Sequence, residues 1–496
     1  MQVSSLRLAE QEGLVNINQI RCFLNGDQTE ESHLIDKLSD AELEKELRQI
    51  SQLKRFYERW QADPDFRQEF LTNPHQAVSR YNMNLDSEEI SLLWNDALVK
   101  KDATDLTPIS VKRYREFYRG VKCDMSDIAG SSTDSRFKAW RERQMARCSS
   151  QMCKSLYDEI LHMTACFELS KGCSVGCWFC GISAPRLGDI FTYNKENAKL
   201  WREVLELLRD IHGPAAKAGF CYWATDPLDN PNYEKFCSDF HELLGIFPQT
   251  TTAQALRDPT RTRSLLKLSL SKGCIVNRFS ILSLKMLDQL YKEFSPEELT
   301  FVRLVLQNPE AGIIKANSGR AREHNKRKAE KNHEVLDDSL PGTNACVSGF
   351  LFNMVERSVK LISPCNADER WPNGYRVYEE GAFTNVDDLK ILLEGMIDRH
   401  MPLTVRPNER LSFRRDLQYE SLPNGFQLST RFKTHKFRND PYIKQLGEVI
   451  HKGDKTAEEI VSLFNICGIP STYIFQSLNL MFKEGVLDDE PNSRNL

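Results

Sequence analysis

Three cysteines, Cys173, Cys177 and Cys180, stand as C-x3-C-x2-C in the run LSKGCSVGCWFCG. Three thiolates on one tight loop suit a four-iron four-sulfur (4Fe-4S) cluster. Three ligands leave one iron without a protein ligand, and that iron can chelate the amino and carboxylate groups of a small molecule. A closed zinc site would need a fourth Cys or His nearby to complete its tetrahedron. Gly172, Gly176 and Gly181 give the loop backbone the freedom to wrap a cluster closely. Further along, Ala224, Thr225 and Asp226 end a second strand-like run, GFCYWA. The Asp226 carboxylate suits an ammonium through a charge-assisted hydrogen bond; it also reads as a turn-forming Asp before Pro227. Thr252 and Ser280, in the third and fourth strand-like runs, are polar candidates for ligand contacts.

The other thiols are unevenly spread: Cys148, Cys153 and Cys166 crowd toward the motif, and only Cys467 follows Cys365. A thiol has a weak S–H bond and can donate a hydrogen atom. Cys365, after Ser363-Pro364 at the end of a strand run, is the first candidate because it is placed to project into a barrel mouth. Cys346 is the runner-up, ahead of Cys221 and Cys274. A buried structural thiol is the ordinary fate of such residues.

These residues must be held by a larger frame. A chain of 496 residues implies two to four domains. Residues 1–150 read as a polar helical region, with Phe56, Trp60, Phe66, Phe70, Ala77, Val78 and Tyr81 giving short amphipathic helices between Asp63-Pro64 and Asn73-Pro74. Asp86 with Glu89 resembles a capping arrangement before Ile90. Residues 151–400 alternate short β-like runs with helical patterns, which predicts α/β architecture as a parallel, partial (β/α) barrel. Residues 315–340 are densely charged, either a solvated helix or a surface for an acidic peptide. ACVSGFLFNMVERSVKLISPC follows as a β-hairpin. Residues 401–496 read as a separate small module, with strands in LSFRRDL and GFQLSTRF, a hairpin signal at Asn424-Gly425, and three helical patterns ended near Gly453 and Gly468.

Apolar residues make up 40% of the chain and charged residues 27%, with a net charge of -4. That balance gives no whole-protein electrostatic case for nucleic acid or anionic membrane. No apolar run approaches the roughly 20 residues that span a bilayer, and the first residues lack a signal-peptide layout. The expected location is cytoplasmic.

C-x3-C-x-aromatic-C after the first strand resembles the radical S-adenosylmethionine (SAM) superfamily. The resemblance implies a 4Fe-4S cluster on Cys173, Cys177 and Cys180, SAM on the open iron, and an external electron donor. It places Phe179 near the adenine and gives Asp226 the SAM amino group, although Ala224 and Thr225 stand where that family has a glycine pair. Over most of its length the chain further resembles radical SAM peptide epimerases of proteusin-type ribosomal peptide maturation. Ser363-Pro364-Cys365 with NADERWPNGYRVYEEG carries that resemblance. So does a segment at about 45–95 similar to the leader sequences of nitrile-hydratase type precursors. A C-terminal module similar to winged-helix peptide-recognition domains completes it. The implied activity converts L- to D-residues in a precursor peptide by Cα hydrogen abstraction and return of hydrogen from a cysteine on the opposite face. Another radical SAM peptide enzyme, joining or cleaving frameworks, and a non-catalytic iron–sulfur sensor are the alternatives. Few cysteines after Cys365 argue against auxiliary clusters, and the helical N-terminal region argues against a cobalamin domain.

Overall fold

The computed structural model describes residues 39–81, 83–85, 124–274, 276–313, 315–334, 340 and 342–490. The expected capping pair Asp86 and Glu89 lies outside these residues, as does the end of the leader-like segment. The described residues begin with α1 (Asp40–Ala62), α2 (Pro64–Thr72) and α3 (Pro74–Arg80). Ser39 and Glu42 form a reciprocal capping box at α1. Asp63 and Asn73 cap α2 and α3 from just before a first-turn proline, so two breaks in the sequence become two helix starts. After these come α4 (Ser135–Gln151), β1 (Met163–Glu168), β2 (Ser170–Lys171), β3 (Asp189–Ile190), α5 (Lys195–His212) and β4 (Gly219–Phe220). The alternation continues through α6 (Tyr233–Leu244), β5 (Thr251–Thr252), α7 (Pro259–Ser271), β6 (Asn277–Ile281), α8 (Leu284–Glu293), β7 (Val302–Leu306) and α9 (Gly319–Asn332). The hairpin β8 (Val347–Asn353) and β9 (Ser358–Pro364) leads to β10 (Tyr375–Ala382) and α10 (Val386–His400). The chain ends in β11 (Gln418–Leu422), β12 (Gly425–Ser429), β13 (Thr434–Arg438), α11 (Ile443–Lys452), α12 (Ala457–Ile466) and α13 (Ser471–Lys483).

Two compact units result. The first takes Met1–Met125, Cys173–Val175 and Phe220–Ile314. In it β5, β6 and β7 form a parallel sheet. Phe279, Ile281, Val302, Leu304 and Leu306 bury one face of that sheet with Leu287 and Leu290 of α8 and Ala62 of α1. The aromatic residues picked out in the leader-like segment form their own cluster, with Phe56, Phe66, Phe70, Ala77 and Val78 buried and Trp60 and Tyr81 against it. α1 is fastened to β7: Lys54 and Glu58 pair at 2.7 Å, both buried, and Glu58 accepts the backbone N–H of Leu304 at 3.1 Å. The described part of the leader-like segment is therefore packed into this unit.

The second unit takes Ser126–Gly172, Gly176–Gly219 and Lys315–Leu496. Its sheet order is β10-β9-β8-β1-β4, and the first residue of β4 belongs to this unit. β1 and β8 run parallel, and β8, β9 and β10 are antiparallel. Phe167, Phe350 and Phe352 face the helices, where Phe167 meets Trp201 of α5 and Phe350 meets Phe137 of α4. The C-terminal part has its own core, from Val405 to Leu487, between the antiparallel sheet β11-β12-β13 and the helices α11–α13. The predicted strand at LSFRRDL is not a strand of that sheet. It contributes only a bridge, Phe413 to Leu487, and the strand starts at Gln418, from which the Leu422–Gly425 pair closes a tight hairpin at Asn424.

Both units are mixed α/β. Among the described residues no sheet closes into a barrel, and no helix is long and apolar enough to cross a membrane.

Candidate functional site

The cysteine loop leaves β2 through Gly172, whose φ of +84° and contact with the Arg186 carbonyl leave no room for a side chain. Cys173, Cys177 and Cys180 are each half-buried. The Val175 N–H points at Cys173 Sγ at 3.4 Å and the Ala184 N–H at Cys180 Sγ at 3.3 Å. Amide donors of this kind stabilise charge on sulfur. Among the described residues no set of three or more His, Cys, Asp or Glu side chains is gathered to hold a metal ion.

Each unit grips its own part of the loop. In the first, Asp229 accepts the Ser174 N–H at 2.9 Å and its hydroxyl at 2.6 Å, and also bonds Gln254 Nε2 at 2.8 Å. Asp229 is buried, so these bonds hold in low dielectric. In the second, the Cys180 carbonyl accepts the Arg320 N–H at 3.0 Å where α9 begins. A Cβ on Gly319 would lie 2.6 Å from that carbonyl, so only glycine allows the approach. Lys315 Nζ lies 5.5 Å from the centre of the Phe179 ring. That ammonium, the hydroxyl of fully buried Ser318 and Arg320 Nε are all buried without a hydrogen-bond partner among the described residues. Burial lowers the Lys315 pKa below its ordinary value. Unsatisfied donors at a helix N-terminus suit an anionic group.

Asp226 is buried, and burial pushes its carboxyl up to about 6. Its two oxygens accept from Leu228 N at 3.0 Å, Thr252 Oγ1 at 2.7 Å and Ala253 N at 2.7 Å. Asp226 therefore clamps the end of β5 to the turn after β4, and the Thr252 hydroxyl is spent on that clamp. Thr225 is buried and Ala224 half-buried beside it. Ser280 lies on β6 opposite the face carrying Phe279 and Ile281, next but one to Arg278 on the same face. Arg278 Nε is buried with no hydrogen-bond partner among the described residues.

The structure separates the candidate thiols. Cys365 does not stand at an open mouth: it is 1% exposed. Its N–H donates to the Gly374 carbonyl at 3.0 Å, and burial pushes its thiol up to about 12 despite nearby Arg376. Arg376 in turn bonds the Pro364 carbonyl at 3.1 Å and Glu490 at 2.7 Å, which closes the loop after β9. Cys346 is half-buried just before β8, its carbonyl accepting Met163 N–H at 2.8 Å. It is near enough to help raise the Cys166 pKa, after burial and Glu168. Cys221 and Cys274 are buried in the first unit, and burial pushes Cys274 up to about 12.

Asp229, Arg278, Lys315 and Ser318 were not singled out by the sequence. Lys315 lies at the edge of the charged stretch, which was its one signal; the others carry none, because their roles depend on contacts distant in the chain.

The architecture defines a mixed α/β protein carrying a C-terminal domain of three strands and three helices. Residues 411–483 match the family described as the Protein y4wI C-terminal domain. A protein of Sinorhizobium fredii, described as Uncharacterized protein y4wI, is 38% identical over 463 residues, covering 90% of this chain and 89% of that protein. The chain belongs to the y4wI family. No solved structure matches it.

Proposed function

We propose that this chain is a radical SAM enzyme that epimerises residues of a ribosomally made precursor peptide. The observation that carries the reading is the C-x3-C-x2-C loop, with amide donors on two of its sulfurs and the unsatisfied Lys315 ammonium beside Phe179. Three thiols on one loop are the number of ligands a cluster needs, and they would have to draw together on binding it, since no set of three is gathered among the described residues. Lys315 and Ser318 offer unpartnered donors to a carboxylate of the cofactor. When bound, cluster and SAM supply a 5′-deoxyadenosyl radical that takes a hydrogen atom from a substrate carbon.

The rest falls to this chain's own side chains. Phe179 offers a flat apolar face to the adenine. Asp229, through Ser174, holds the start of the loop, and Asp226 ties the turn after β4, next to Ala224 and Thr225, to the end of β5. A thiol on the far side of the peptide returns hydrogen to the planar Cα, which inverts it, and an electron and a proton from outside restore that thiol. Cys365 keeps its proton at neutral pH because it is buried, but its loop must open for a peptide to reach it. Cys346 is half-buried, less enclosed than Cys365. The fold class needed is a partial (β/α) barrel, and the C-terminal domain takes the part of a winged-helix-like leader-recognition module.

The test is anaerobic reconstitution with iron and sulfide, then incubation with a precursor peptide, SAM and reductant in deuterated water. Epimerisation gives one mass unit per inverted residue and D-residues on chiral analysis. Formation of 5′-deoxyadenosine with a changed peptide framework indicates another radical reaction, and no SAM cleavage at all overturns the reading.

A further inference from the structure

Between Cys177 and Cys180 the loop carries Trp178, an aromatic residue left 50% exposed. Its ring packs edge-on to Phe179, with centroids 5.4 Å apart, and lies 4.7 Å from the His324 ring of α9. A large exposed indole next to two candidate ligands is unusual for a loop whose other task is to shield a cluster. Helix α9 continues away from that contact. Its periodicity sets Arg327, Lys328 and Lys331 on the same face as His324, at spacings of three, four and seven residues. All three are exposed. Over Gly319–Asn332 the helix holds six Lys and Arg against two Glu, in a chain whose net charge is -4. Arg327 has a 3.7 Å pair with Glu323, both well exposed, which contributes little. The basic stripe thus begins at the cysteine loop and runs outward from it.

We propose that Trp178 and the Arg327, Lys328 and Lys331 face of α9 form the docking site of an acidic one-electron carrier protein. The inference rests on the cluster reading above. Charge complementarity selects the partner: an acidic surface is steered to a basic face that no other part of the described chain covers. Position selects its role, because the helix start is bonded to the Cys180 carbonyl. The carrier loses one electron and the cluster gains it, so no further reactant is needed for this step.

The experiment compares two reductants with one variant, Arg327→Glu with Lys328→Glu and Lys331→Glu. Dithionite is small and needs no docking surface; an acidic flavodoxin, reduced by its reductase and NADPH, does. With flavodoxin the wild type should form 5′-deoxyadenosine at a rate that falls as salt rises, and the variant should be slower by on the order of tenfold. With dithionite both proteins should match. An unchanged flavodoxin-driven rate in the variant overturns the proposal. So does weakened precursor binding with an unchanged flavodoxin rate, which would assign the stripe to an acidic peptide. Absence of dithionite-driven cleavage in the wild type overturns the cluster reading itself, and the docking site with it.

Discussion

At the scale of single residues, the cysteines divide by environment, and each division can be measured. Replacing Cys173, Cys177 and Cys180 together by Ala should remove the broad visible absorption of the reconstituted cluster and all SAM cleavage; cleavage by that variant would refute the ligand set. Cys365→Ala and Cys346→Ala distinguish the two proposed hydrogen donors. The true donor's variant should keep the cluster and keep forming 5′-deoxyadenosine with substrate-derived hydrogen, yet form no D-residues. Loss of cluster binding in either variant would mark a structural cysteine instead. Asp226 gives a pH signature. Its native pKa of about 6 stands above the ordinary 3.8, because burial disfavours the carboxylate. The native state therefore holds the proton more tightly than the unfolded chain. Its stabilising contribution is full below the unfolded value and is lost as pH rises through about 6, roughly 3 kcal/mol in all. Urea unfolding at about pH 4 and about pH 8 should show this loss in the wild type and not in Asp226→Asn. An identical slope in both would mean that Asp226 is charged at no cost.

At the scale of elements, the burial of charge decides which contacts matter. Glu58 of α1 serves three partners: Lys54, the Leu304 N–H of β7 and, at 3.4 Å, the Tyr291 hydroxyl. Burial raises the Glu58 pKa and lowers that of Lys54, each opposed by the other. Glu58→Ala leaves a buried ammonium and a buried amide unpaired, so it should cost about 3–5 kcal/mol. Replacing both residues by apolar ones, Lys54→Met with Glu58→Leu, should recover most of that loss in the same denaturation assay. A Glu58→Ala cost below about 1 kcal/mol would mean that water reaches the pair. This region also shows what sequence can and cannot reveal. Helical spacing and the Asp63-Pro64 and Asn73-Pro74 breaks marked α1–α3 in advance, since capping and apolar periodicity are local. That Lys54 and Glu58 would be buried was invisible, because their partner strand lies some 246 residues along the chain. The same distance rule explains the strands. The apolar runs around β4 and β5 were legible, but each is a strand for only two residues, because strand length depends on neighbours that pair with it.

At the scale of the whole molecule, the compact units do not follow chain order. Cys173–Val175 groups with residues beyond Phe220 because Ser174 bonds Asp229, a pairing across 55 positions that no local pattern announces. The C-terminal domain was easier to read, since its hairpin signal and helix-ending glycines are local; Gly453 and Gly468 have φ of +68° and +83°. Its three-stranded sheet has β11 at one edge, and an edge strand presents unpaired N–H and C=O groups. If a precursor leader binds there by strand addition, the hairpin geometry says which residue to test. In a two-residue hairpin the pair flanking the turn, Leu422 and Gly425, exchanges hydrogen bonds with each other, so the next pair, Ser421 and Phe426, does not. The Ser421 N–H then points outward, to the free edge, and Ser421 is exposed. Ser421→Pro removes that backbone donor without touching the β11–β12 ladder, and Ser421→Ala, which keeps the N–H, controls for loss of the hydroxyl beside Tyr419. Leader affinity, followed by anisotropy of a labelled peptide, should fall by on the order of tenfold, the equivalent of about 1.4 kcal/mol. Thermal stability and uncoupled SAM cleavage should not change. Glu420→Pro, one residue earlier, removes a donor inside the ladder and should instead destabilise the domain. Unaltered leader affinity in a folded Ser421→Pro variant would exclude β11 as the docking edge. Binding would then be sought on the exposed apolar residues of α12 and α13, Leu463, Ile466, Tyr473 and Leu480, where Ile466→Glu is the corresponding test.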